Sequence, residues 1–132
     1  MAETRVLLVD DTMDPPAIPS RGLGSDFRRY LNLATEERRA PERDLPTDLS
    51  EYSHIVLSGS KTSILANDLW VRELSAFIRT ALDRRIPMLG ICYGHQMIAR
   101  TLGGVQAVRK SPSPEIGWRE VQMIRSIPIF EG

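Results

Sequence analysis

Cysteine is nearly missing from this chain: Cys92 is the only one among 132 residues. A single thiol closes no internal disulfide, so the fold must rest on its core, and this usage fits a reducing cytoplasm. Histidine is almost as scarce, with His54 and His95 alone. These residues are too scattered to match the ligand spacing of a metal centre, so neither a metal nor a cofactor is expected. Net charge is absent as well, seventeen basic residues balancing seventeen acidic ones. That removes the electrostatic case for nucleic acid or an anionic membrane as partner. No run approaches the ~20 apolar residues that a membrane span needs. Glu3, Asp10 and Asp11 break up the N-terminal region, which does not read as a signal peptide. What remains is ordinary for a globular protein, with 42% hydrophobic and 26% charged residues. Residues 1–132 are enough for one domain with a real core and leave no room for a second.

The apolar pattern predicts alternating strands and helices. Arg5 to Asp10 reads as a buried strand ending in acids. Thr12 to Ser25, with Pro15, Pro16 and Pro19, reads as a loop. A helix is expected from Asp26 to about Ala34, capped by Ser25, with a short polar strand near Arg38-Arg39-Ala40. His54 to Leu57 is a central strand opening into the loop Ser58 to Ser63. Trp70, Leu74, Phe77, Ile78, Ala81 and Leu82 recur at helical spacing behind a cap at Asn67 or Asp68. Ile86 to Ile91 reads as another strand, Tyr93 to Leu102 as a helix stopped by Gly103-Gly104. Val105–Arg109 and Trp118–Ile124 are expected to add two more strands. Such alternation implies a mostly parallel sheet with helices on both faces, binding ligands beyond the carboxyl ends of its strands. Asp10, Asp11, Ser58 to Ser63 and Cys92 fall at those ends and are expected to face one crevice.

Gly90-Ile91-Cys92-Tyr93-Gly94-His95-Gln96 is the most informative stretch. It sets Cys92 on a sharp strand-to-helix turn, flanked by Gly90 and Gly94 where a side chain would collide with the turn. A helix starting near Tyr93 aims its first amides and positive dipole end at the sulfur, which favours thiolate. A lone cysteine is more often a small buried hydrophobe. The glycine spacing weighs against that reading here.

Leu57-Ser58-Gly59-Ser60, the elbow, Leu102-Gly103-Gly104 and Glu115-Ile116-Gly117-Trp118 together resemble class I glutamine amidotransferases, most of all domains similar to the glutaminase part of GMP synthase. The resemblance implies an α/β, flavodoxin-like three-layer sandwich and an enzyme that hydrolyses the side-chain amide of glutamine. Cys92 would attack the amide carbonyl and hold a γ-glutamyl thioester, splitting one hard step into two. The backbone N–H of Tyr93 would be one oxyanion donor. The Gly59–Ser60 loop would supply the other, Ser60 standing where the family has a second glycine and Lys61 where it has proline. Gln96 matches a position that contacts the bound glutamine. Ammonia would pass to a synthetase domain or subunit.

The resemblance also implies a general base from a downstream His-x-Glu pair, and no such pair occurs here. His95 would project from the elbow helix away from the sulfur, against neighbouring loops. His54 begins its strand, ~13 Å from the carboxyl end. The chain therefore reads as the N-terminal portion of such a domain, its C-terminal part missing and its triad incomplete, with poor turnover expected; the alternative is a natural short protein that binds without turnover, completed by a second chain. An uncovered sheet and an apolar tail would favour a homodimer or aggregation. Three rival readings stand beside this one. A γ-glutamyl peptidase-like cysteine hydrolase would share the elbow, and a scaffold domain would follow if Cys92 were inert. A phospho-receiver fails, because Leu57-Ser58-Gly59 puts no acid at the end of the third strand.

Overall fold

The computed structural model describes residues 4–13 and 23–131, for Leu23 to Ser25 by their backbone alone. Four strands form one all-parallel sheet in the order β2-β1-β3-β4. They are β1 (Arg5–Asp10), β2 (Ala34–Arg39), β3 (His54–Leu57) and β4 (Met88–Gly90). The helices are α1 (Leu23–Leu31), α2 (Leu69–Asp83) and α3 (Tyr93–Gly103). The sheet is thus wholly parallel, and the α/β three-layer arrangement stands.

Alternation along the central strands builds both faces. Leu7 and Val9 of β1, with Ile55 and Leu57 of β3, join Trp70, Leu74, Phe77, Ile78, Tyr93 and Met97 in the main core under α2 and α3. Val6, Leu8 and Val56 turn the other way and meet Phe27 and Leu31 of α1. Strands apolar on both faces read as unbroken hydrophobic runs, which is why β1 and β3 were legible.

Several expectations need correction. Helix α1 starts earlier than Asp26, so Ser25 lies inside it and not at its cap, and it ends at Leu31, not Ala34. Asn32 ends it, with φ of +46°, a left-handed conformation that asparagine tolerates. Ala34 instead opens β2, a six-residue strand longer than the one expected near Arg38. This strand is polar because it is an edge, where charge deters further pairing. Glu36, Arg38 and Arg39 of this strand are ion-paired: Arg38 Nε donates to Glu36 Oε1 at 2.8 Å and Arg39 Nη1 to Asp10 Oδ2 at 2.7 Å. No helix separates β2 from β3, which are joined by turns. The expected loop between Thr12 and Ser25 lies mostly outside the described residues.

The two late strands do not form. Val105–Ala107 is a turn of 3-10 helix, and Trp118 to Ile124 joins no ladder. A strand persists only beside a partner that takes its N–H and C=O groups, and among the described residues this stretch has none. Residues 109–131 are exposed throughout, Trp118 completely. Strand β4 is consequently the second edge, and its Leu89, registered with Val56, is 43% exposed. None of the described helices is long and apolar enough to cross a membrane.

Candidate active site

Because β1, β3 and β4 are adjacent and parallel, the segments following them meet at one end of the sheet. Cys92 follows β4 there, with φ of +52° and ψ of −109°. For a residue with a Cβ, such a conformation costs about 1–3 kcal/mol and persists only where its surroundings enforce it. Three contacts do so. Ile91 N–H donates to Leu57 O at 2.9 Å, and Gly94 N–H is shared between Ser58 O and Ile91 O, both at 3.0 Å. The sulfur side chain is exposed rather than sealed in the core. Helix α3 begins at the next residue, so its positive end adjoins the thiol.

Neither elbow glycine has room for a side chain. A Cβ on Gly90 would lie 2.6 Å from His95 N and 2.7 Å from Gly94 C. One on Gly94 would lie 2.6 Å from both the Cβ and O atoms of Leu57. The first lets α3 fold back over β4, and the second lets it press on β3.

The loop after β3 comes to the same place. A Cβ on Gly59 would sit 3.4 Å from Cys92 Cβ and 4.0 Å from Cys92 Sγ. These are ordinary contact distances, so the fold has room for alanine but the sulfur would lose open space. Gly59→Ala is expected to melt like the wild type while its reaction with a bulky maleimide slows about tenfold relative to iodoacetamide. Equal slowing with both reagents would contradict this. Ser60 does not adopt positive φ. Its hydroxyl instead donates to Thr62 Oγ1 at 2.9 Å and accepts Thr62 N–H at 3.1 Å, turning the loop. Among the described residues, the N–H groups of Ser60 and Tyr93 find no acceptor. A cavity of about 390 Å³ opens beside this loop, lined by Thr12, Met13, Gly59, Ser60 and Lys61.

Gln96 and His95 are exposed in the first turn of α3, so His95 does not pack against neighbouring loops. His54 is exposed at the opposite end of the sheet, its Nδ1 3.0 Å from Ser53 Oγ. Asp10 and Asp11 do not face the crevice; both are buried. Asp10 is fully used, accepting from Arg39, from Thr12 N–H at 2.8 Å and from Thr12 Oγ1 at 2.6 Å. Among the described residues the Asp11 carboxyl oxygens have no partner, and neither does the buried Tyr93 hydroxyl. Burial, then the charge of Asp10, pushes the Asp11 carboxyl up to about 8. Burial and the nearby Asp11 likewise push the Tyr93 phenol up to about 12. Among the described residues, no cluster of His, Cys, Asp and Glu could hold a metal ion.

Sequence reasoning missed Arg100, and it placed Ser58 at the crevice without its tying role. Arg100 of α3 donates to Ile64 O at 2.9 Å and Ala66 O at 2.7 Å, pinning the loop before α2. Ser58 ties β1, the Gly59 loop and α3 together. A basic residue near a helix C-terminus is too common to flag, and the hydrogen bonds of Ser58 depend on neighbours that only the folded sheet supplies.

The family model described as glutamine amidotransferase class-I matches residues 25–127. Gamma-glutamyl peptidase 4 of Arabidopsis thaliana is 33% identical over 96 residues, covering 72% of this chain and 37% of that protein. One of the subunits of the glutamine-hydrolysing GMP synthase of Saccharolobus solfataricus is 32% identical over 85 residues, covering 64% and 43%. A crystal structure of a glutamine amidotransferase from Thermotoga maritima superposes with a TM-score of 0.60 at 30% identity, covering 76% of this chain and 44% of that one. The chain spans less than half the length of each of these relatives.

Proposed function

The chain belongs to the class-I glutamine amidotransferase family, and on that premise we propose that Cys92 captures the side-chain acyl group of glutamine, releasing ammonia. The Sγ–Cδ bond forms, the Cδ–N bond breaks, and the proton lost by the thiol leaves on the nitrogen as ammonia. The single observation that carries this reading is an exposed thiol on a strained elbow, with Gly59 against it and two N–H groups unclaimed among the described residues. Those donors, on Tyr93 and Ser60, would stabilise the tetrahedral oxyanion, a contribution of about 3–4 kcal/mol per donor where one has been removed. Gln96, exposed one helical turn beyond the sulfur, would contact the amino acid end of the substrate.

Neither histidine of the chain is placed to act as base: His54 is at the far end of the sheet and His95 points into solvent from α3. We therefore assign these residues the capture of one acyl equivalent rather than sustained turnover. The ammonia acceptor would be a synthetase partner, by analogy with the relative that forms part of a GMP synthase. A second reading has its own support, because another relative is named a γ-glutamyl peptidase. It keeps the thioester and replaces the amide by a γ-glutamyl peptide bond.

A diazo-ketone analogue of glutamine is expected to label the chain once, saturably, with the adduct on Cys92. Protection by free glutamine favours the amidotransferase reading. Protection by γ-glutamyl dipeptides but not by glutamine would favour the peptidase. Slow, non-saturable labelling that neither ligand suppresses would overturn both and leave a scaffold role.

A further inference from the structure

Ser58 is buried at the carboxyl end of β3, 1% exposed, and every polar group it carries is used. Its N–H donates to Val9 O at 3.0 Å, and its carbonyl accepts Gly94 N–H at 3.0 Å. Its Oγ accepts Asp11 N–H at 2.8 Å and donates its own proton to Gly59 O at 3.0 Å. The last two bonds form a directed relay. One N–H polarises the hydroxyl, which then donates more strongly to the next carbonyl.

The acceptor of that relay matters because Gly59 O and Ser60 N–H belong to one peptide unit. A trans peptide is planar, with its carbonyl and N–H on opposite sides. Holding the carbonyl toward Ser58 Oγ therefore fixes the direction of the Ser60 N–H, away from β1. Nothing else among the described residues holds this peptide, since Gly59 O takes no other hydrogen bond and Ser60 N–H makes none. A peptide in a half-buried loop without such a clamp can rotate, and an oxyanion donor works only when fixed in advance.

We infer that Ser58 is a positioning residue, clamping the Gly59–Ser60 peptide so that its N–H stays presented beside Cys92. This rests on the thioester reading above. The chain ending β1 is thereby part of the site, because the Asp11 amide orients the hydroxyl.

Acylation of Cys92 by a γ-glutamyl p-nitrophenyl ester tests the clamp. The Sγ–Cδ bond forms, the bond to p-nitrophenolate breaks, and the thiol proton goes to the buffer. Alkylation by iodoacetamide, which passes through no oxyanion, is the control. Ser58→Ala is expected to slow acylation 10- to 100-fold with the half-saturating ester concentration unchanged and alkylation within about twofold. Ser58→Thr, which keeps the hydroxyl, should recover most of the rate. Unchanged acylation in Ser58→Ala, or equal slowing of both reactions in Ser58→Ala and Ser58→Thr, would overturn the inference while leaving the thioester reading intact. A wild-type chain that iodoacetamide alkylates but the ester never acylates would remove that reading, and the clamp with it.

Discussion

Gly94→Ala is expected to lose about 3 kcal/mol of stability and with it the reactive elbow. The added methyl would stand 2.6 Å from Leu57 Cβ and Leu57 O and 2.8 Å from Leu57 C. Two of these atoms are backbone of a central strand, so no side-chain rotation relieves the clash. Either α3 lifts away from β3 or β3 shifts against β1. Lifting α3 would break the bonds from Gly94 N–H to Ser58 O and Ile91 O that hold Cys92 at positive φ. Thermal melting should therefore fall by about 10 °C, and any selective reaction of Cys92 should fall to that of an ordinary exposed thiol. Gly59→Ala is the internal comparison, because its methyl meets only ordinary contacts. A Gly94→Ala protein melting with the wild type would show that α3 and β3 are less tightly apposed than described.

Asp11 carries the second large effect, and its sign is opposite to that of most carboxylates. In the unfolded chain the group ionises near 3.8, whereas burial in the native state raises this to about 8. Between those values the folded protein holds a proton that the unfolded chain has released. Stability therefore falls as pH rises through that interval, by up to about 1.4 kcal/mol for each pH unit, and levels off above it. Asp11→Asn keeps the volume and removes the ionisation. It is expected to match the wild type near pH 4, to gain on it steadily up to pH 8, and to hold that lead beyond. Chemical denaturation across this range checks the slope. Parallel curves for the two proteins would mean that solvent reaches the carboxylate or that an unseen partner satisfies it.

How much of this was readable in advance depends on which force shaped each part. Strands β1 and β3 and helix α2 are made by burial, and burial leaves a pattern. The elbow was legible for a different reason: Gly90 and Gly94 answer to backbone contacts that only glycine permits. Strand β2 was mostly hidden, because an edge is stabilised by pairing with β1 and by ion pairs, not by an apolar stripe. The segment from Trp118 to Ile124 misled in the opposite sense. Its β-branched and aromatic residues promised a strand, but propensity makes no ladder without a neighbour. At the site, Cys92 could be named from spacing alone, whereas Ser58 and Asp11 gained meaning only once β1 and β3 lay side by side.

The shared amide of Gly94 has one further effect. Sulfur and oxyanion loop hang from the same peg, since one N–H grips both the strand before the loop and the residue before the thiol. The long tail from residue 111 onward hydrogen-bonds only within itself among the described residues. Among the described residues no hydrogen bond therefore links the tail to the reacting atoms, and the spacing between attacker and anion cradle is set through that shared amide.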